Sequence, residues 1–459
     1  MAIMGLSEKR RLRGGETDMT EGSISRHILL FALPLLAGNL FQQLYNMVDT
    51  WVIGNFASNE AFSAVGTVGP VINMLIGFFT GFSTGAGVVI SQNFGAGRND
   101  RVRDAVHTAM TLTFILSIIF TLLGVFMTPL MVRIMKTPAE VAPEQELYLR
   151  VYFAGFAGLL FYNMGAAILR AIGDSRRPFY FLVVCAVMNT VLDLVFVKNF
   201  GMGVFGVALA TILSQAVSAI LVIITLVRTD SCVKLSLRNL KISGDITKSI
   251  VKIGIPAAIQ LSITAFSNVF VQSYINHFGA DAMSGWTAYA KADQLMFLPM
   301  QSIALAATTF VGQNLGKGNE ERARKGIWTA LFCAFASTVV LMIPIIAFAP
   351  QITYFFNGKP EVVEYGTLLL RRLSPFYVLC CVNQVIGGAL RGAGNSRAPM
   401  IIMLGSFVVF RQIYLFVVSN FICNEFMPIV AGYPAGWFVC STLALIYYLR
   451  TPLDKNRLV

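Results

Sequence analysis

The sequence predicts an all-α integral membrane protein with twelve transmembrane helices in two six-helix, parallel-repeat lobes around a central cleft. Three observations carry that prediction. Only 13% of the 459 residues are charged, whereas 56% are hydrophobic, and the mean hydropathy is +0.69. A soluble domain carries roughly 25% charged residues, so most of these side chains must face lipid or one another. Apolar runs of spanning length recur twelve times along the chain. Two polar motifs then repeat in a single register.

A helix needs roughly 20 apolar residues to cross about 30 Å of hydrocarbon. Runs of that kind centre near residues 40, 77, 116, 160, 188, 216, 263, 297, 337, 382, 410 and 438. Short polar connectors separate them, among them 93–104, 173–178, 316–325 and 392–399. The basic residues Lys9, Arg10, Arg11 and Arg13 precede the first run. That run is too long for a signal peptide and reads as an uncleaved span. The seven cysteines form no Cys-x-x-Cys pattern and mostly lie in apolar runs, as packing residues do.

Basic residues set the orientation, because cytoplasmic connectors hold an excess of Lys and Arg. Alternate connectors carry Arg98, Arg101 and Arg103; Arg170, Arg176 and Arg177; Lys317, Arg322, Arg324 and Lys325; and Arg391 and Arg397. The opposite connectors hold Arg133, Lys136, Lys198 and Lys359. Both termini are therefore expected in the cytoplasm of a bacterial cell, with the chain in the inner (plasma) membrane. The net charge of +12 follows from topology and attraction to anionic lipid, and nucleic-acid binding is not needed to explain it.

The repeat has an offset of 221 residues. Gln92-Asn93-Phe94-Gly95-Ala96-Gly97 returns as Gln313-Asn314-Leu315-Gly316-Lys317-Gly318, and Arg170, Gly173, Ser175, Arg176 and Pro178 return as Arg391, Gly394, Ser396, Arg397 and Pro399. Six spans separate the copies, and six is even, so the halves run parallel about an axis along the membrane normal. The expected division is an N-lobe over 1–229, a cytoplasmic linker over 230–247 and a C-lobe over 248–459.

Two carboxylates interrupt the apolar sequence of the N-lobe: Asp49 in span one and Asp193 in span five. A carboxylate at the bilayer centre costs at least about 2.5–3.5 kcal/mol on insertion scales, so such a group is expected to face a cavity and to hold a partner or a proton. Asn189 and Asp193 are four apart and share a helix face. At about 1.5 Å per residue, Asp49, Asp193 and Thr211 of span six fall in one layer of the outer half. Asp49 could instead simply end its span at the outer headgroups. Pro34 in span one removes a backbone hydrogen bond and permits a kink. Gln42, Tyr45 and Asn46 add a polar stripe to that span, suited to ligand contact or to helix–helix hydrogen bonding, and Asn163 marks an inward face of span four.

The C-lobe lacks the acid pair, since Asp49, Asn189 and Asp193 map by the same offset onto Phe270, Phe410 and Tyr414. Its own ionisable residues are Lys291 and Asp293, which diverge around their helix. Lys291 either lines the cavity or snorkels to the surface. Arg411 is expected to neutralise carbonyls or lipid phosphate near a helix end. Gly201-Met-Gly203-Val-Phe-Gly206 matches a dinucleotide fingerprint but follows no strand. Gly81-Phe-Ser83-Thr-Gly85 matches a nucleophile elbow but lies in an apolar helix, where with Gly77 it makes a small-residue packing face. With His27, His107 and His277 all near span ends, enzymatic chemistry is not expected.

The proline-containing first span with Gln42-Gln-Leu-Tyr45 and Val-Asp49, the Gln-Asn-x-Gly-x-Gly pattern after spans two and eight, and the paired Arg-x-x-Gly-x-Ser-Arg-x-Pro loops resemble the multidrug and toxic compound extrusion (MATE) family. The resemblance runs over about residues 20–450 and points to a prokaryotic, DinF-like branch. It implies two lobes, alternating access and antiport driven by inward H+ or Na+, with no other cofactor. It further implies a cation site at Asp49, Asn189, Asp193 and Thr211, able to hold a proton or Na+, and a kink at Pro34. It places Gln42, Tyr45 and Asn163 along the N-lobe cavity, to which the sequence adds Lys291 as a C-lobe candidate. Another branch carries acids on spans seven and ten; this sequence does not, so that branch's C-lobe sodium site is not expected. The expected partners are small-molecule substrates, amphipathic or cationic, and membrane lipids, around a monomeric transporter.

Overall fold

A computed structural model of the chain describes residues 15–135 and 137–459. Lys9, Arg10, Arg11 and Arg13, noted above before the first run, and Lys136, used above for orientation, lie outside the described residues. Among the described residues the chain is helical, with no strand. The membrane helices are α1 (Ile24–Phe56), α2 (Asn59–Gly95), α3 (Asn99–Ile134), α4 (Ala142–Ala154 with Phe156–Ala171), α5 (Arg176–Asn199), α6 (Gly203–Arg228), α7 (Gly244–Asn276), α8 (Ala280–Gly316), α9 (Glu320–Ala347), α10 (Pro360–Gly392), α11 (Arg397–Ile422) and α12 (Phe426–Arg450). Among the described residues, eleven helices are long and apolar enough to span, and the bent pair in α4, taken as one span, makes the twelfth. Each centre expected from the apolar runs falls inside one of them.

The 47° bend of α4 sits at Gly155. A Cβ there would lie 2.3 Å from Ile212 Cβ, so the bend lets α4 close onto α6. Pro34 lies within α1, which continues through it. Large apolar side chains such as Phe126 and Phe355 project from the bundle at 77% and 80% exposure. In water that would be costly, but in hydrocarbon it leaves nothing to bury.

Contacts divide the chain into two units. Of the described residues, one contains 15–18 together with Pro34–Gly254; the other contains Met19–Leu33 with Ile255–Val459. In the first, Tyr148, Tyr152, Phe153 and Phe156 of α4 form the apolar core with Val52, Ile53 and Phe79. Small residues allow close crossing here too: a Cβ on Gly85 would lie 2.6 Å from the Gly254 Cα. The basic linker also packs in this unit. Ser236 N donates to His107 Nε2 at 3.0 Å, Ser243 N donates to Thr108 Oγ1 at 3.2 Å, and Lys241 pairs with Asp104 at 2.6 Å. In the second unit, Trp286 and Tyr289 pack with Leu369, Leu415 and Phe426. There Gln313 and Asn314 hold the Met19 backbone, at 2.9 and 3.3 Å.

The sequence repeat is also a structural one. After α2, Arg98 N donates back to Asn93 O at 3.0 Å; after α8, Asn319 N donates to Asn314 O at 2.9 Å. After α4 and α10 the same closure joins Asp174 N to Leu169 O and Asn395 N to Leu390 O. All four helix ends turn through a left-handed glycine, Gly97, Gly318, Gly173 or Gly394, with φ between 70° and 87°. A side chain disfavours that conformation, which is why glycine recurs at these places. In the turns into α5 and α11, Asp174 and Asn395 accept backbone N–H bonds at 3.1 Å.

Candidate functional site in the N-terminal lobe

Gln42, Tyr45 and Asp49 follow one another at helical spacing on α1, so they line one stripe. Asn189 and Asp193 are almost fully buried on α5, at 1% and 0% exposure. Directly after Asp193 the helix widens into a π-turn over Leu194–Asn199. Such a turn inserts one residue into the helical period and re-aims the side chains around it.

The structure brings Asp49 of α1 and Asp193 of α5 within electrostatic reach of each other. Asp49 Oδ1, both Asp193 oxygens and both polar atoms of Asn189 are buried with no hydrogen-bond partner among the described residues. Two ionised carboxylates have only acceptors to offer each other, and they repel. A proton on one of them or a cation beside them relieves that repulsion. An all-oxygen cluster of carboxylates and an amide carbonyl suits a hard cation.

Thr211 is buried on α6, the helix packed along α5. Its hydroxyl donates to Val207 O at 3.0 Å, which leaves the oxygen lone pairs for another group. Gln42 and Tyr45 lie beside each other on α1, three residues apart. Asn163 Nδ2 donates to its own helix at Leu159 O, 2.9 Å away. Sequence reasoning missed Tyr148 and Tyr152. Both are buried on the first segment of α4, stacked at 6.1 Å between ring centroids, and Tyr148 lies within electrostatic reach of Asp49 and Asp193. Their i, i+4 spacing is the one trace of this pair in the sequence.

Lys291 is exposed on α8. Asp293 is held by the Tyr289 and Tyr377 hydroxyls, the first at 3.2 Å. Arg411 differs from its expected place at a helix end. It is 3% exposed inside the C-terminal unit, bonded to Ser267 and Asn268 and lying over the Tyr433 ring.

Twelve apolar helices in a duplicated six-span plan, with ionisable groups buried inside a lobe, define the class of multi-span membrane transporters. The chain belongs to the MatE family, whose model matches residues 34–195 and 256–417. The two matches begin at Pro34 and Pro256, so the family unit is the half-chain repeat. Among similar proteins, the probable multidrug resistance protein YpnP of Bacillus subtilis is 28% identical over 94% of this chain and 96% of its own. The probable multidrug resistance protein NorM of Thermotoga maritima is also 28% identical, over 94% of each. A solved outward-facing multidrug resistance MATE family transporter of the MOP superfamily superposes with a TM-score of 0.88 at 25% identity. That comparison covers 94% of this chain and 96% of that one.

Proposed function

We propose that this protein is a secondary active transporter that exports amphipathic, cationic small molecules by alternating access, with H+ or Na+ moving inward in exchange. The observation that carries this reading is the juxtaposition of Asp49 and Asp193, whose buried oxygens, like the polar atoms of Asn189, have no hydrogen-bond partner among the described residues. Those oxygens attract a cation that a gradient can load and unload. The multidrug names of the relatives support the substrate class, as do the Phe- and Met-rich spans, which offer adaptable apolar contact. In proteoliposomes, efflux of a fluorescent aromatic cation is expected to respond to an imposed inward proton or sodium gradient. Flux that ignores both gradients would overturn antiport. A second reading, transport of an anionic or lipid-linked substrate, is favoured by the buried Arg411.

The chain is proposed to work as a monomer in the bacterial inner membrane, with both termini cytoplasmic. In a background lacking the seven native cysteines, cysteines at Ala57 and Asn357 should label from outside and those at Asn99 and Asn319 from inside. The reverse pattern would overturn the orientation.

A further inference from the structure

Arg411 is a cation that the proposed coupling cycle leaves unused. It is 3% exposed, and a buried charge is costly unless another charge or a full set of hydrogen bonds compensates it. Here the compensation is incomplete. Nη2 donates to Ser267 Oγ at 3.1 Å and to Asn268 Oδ1 at 2.9 Å, both neutral acceptors. The guanidinium also lies 4.8 Å from the Tyr433 ring centroid and 5.9 Å from that of Phe407. Nε is buried with no acceptor among the described residues. Asp293, a half-buried acid of the same unit, is already taken by two tyrosine hydroxyls.

The local backbone fixes this guanidinium in place. A π-turn over Gly405–Phe410 runs directly into Arg411, and the Phe407 carbonyl accepts from Ser267 Oγ at 3.0 Å. Gln412 Nε2 bonds to the same serine at 3.2 Å. Ser267 is thus oriented from α11 and in turn orients Arg411. A guanidinium held along one edge, with donors unspent elsewhere, is preorganised for an oxyanion. Tyr433 beside it is half-buried and backed by Trp286 at 5.2 Å and Trp437 at 6.0 Å, so an aromatic surface adjoins the charge.

We infer that Arg411 is a binding point in the C-terminal lobe for the carboxylate or phosphate of an aromatic amphiphile, whose ring lies against Tyr433. The inference depends on the transporter reading for its purpose, but binding is measured without a gradient, so a failure of coupling leaves it standing. The same oxyanion chemistry is available from a soluble substrate or an anionic lipid headgroup.

The test uses the full chain in phosphatidylcholine nanodiscs, with calorimetric binding of 2-naphthoate and its uncharged amide, 2-naphthamide. Naphthoate is expected to bind about tenfold tighter or more, the scale of a charge-assisted hydrogen bond. Arg411→Gln should erase that preference and leave naphthamide unchanged. Arg411→Lys should keep part of it, and Asn268→Ala, which loosens the guanidinium without removing it, should weaken naphthoate alone. These last two variants carry the test if Arg411→Gln does not fold. Competition by added phosphatidylglycerol would assign the point to a lipid headgroup, and its absence to a soluble amphiphile. Equal binding of the two probes, binding of neither, or an equal loss of both in the arginine variants would overturn the proposal.

Discussion

Asp49→Asn and Asp193→Asn are each expected to reduce gradient-driven efflux to the leak of empty vesicles, while the protein stays folded and still binds substrate. Asp49 and Asp193 lie within electrostatic reach of each other, and Asp49 Oδ1 and both Asp193 oxygens are buried with no hydrogen-bond partner among the described residues. An asparagine has the same shape and can donate to the remaining acid, so the local packing survives. The pair loses its ability to take up a charge in one state and release it in the other. Protons and sodium compete for the same oxygens, so sodium affinity should weaken as pH falls. Thr211→Ala should weaken sodium by roughly 10–100-fold, the usual loss when a group supporting a metal site is removed. It should affect proton-driven flux less, because a hydroxyl is not needed to keep a proton on a carboxylate. The measurement is efflux from proteoliposomes under each gradient in turn, with the variants reconstituted side by side. Full gradient-driven transport by both asparagine variants would refute the site.

The positions of the spans and of the acid pair were legible in the sequence for the same physical reason. Hydrocarbon demands long apolar runs and makes each polar interruption expensive, so Asp49, Asn189 and Asp193 stand out from their surroundings. The repeat was legible because its turns need glycine at fixed places, where the structure shows the backbone at φ of 70° to 87°. The same logic fails for Tyr148 and Tyr152. An aromatic residue in a span is ordinary, and only the structure shows that Tyr148, stacked on Tyr152, comes within reach of the acids. Arg411 was misjudged for a different reason. It was expected near a helix end, yet the apolar run it interrupts is centred near residue 410, and in the structure it falls in the middle of α11, Arg397–Ile422. The π-turn over Gly405–Phe410 that leads into it re-aims the side chains around it, and nothing in the residue types announces that turn.

Gly392→Val is expected to unfold the C-terminal lobe at markedly lower temperature, with Gly388→Val close behind. Both glycines are buried on α10, one helical turn apart, against α8. A Cβ on Gly388 would lie 2.5 Å from Ala304 O, and one on Gly392 would lie 2.3 Å from Thr308 O. Between them, Thr308 Oγ1 donates to Gly388 O at 2.9 Å, a bond that only this close approach allows. Helices in lipid gain no hydrophobic drive from meeting, so backbone proximity and such hydrogen bonds supply much of the association. The obstructing atoms are carbonyl oxygens of α8, fixed in its own backbone, and cannot swing aside as a long side chain would. Overpacking of this kind costs about 1–3 kcal/mol even where neighbours can shift. For a lobe of this size, that corresponds to a fall in melting temperature of roughly 5–10 °C. Gly405→Ala is the matched control: nothing lies within 4 Å of its added methyl, and alanine favours the helix by about 1 kcal/mol. The measurement is loss of the monodisperse chromatographic peak after heating the purified proteins in parallel. If Gly392→Val melts with the wild type while Gly405→Ala falls, the α8–α10 crossing does not hold the lobe together.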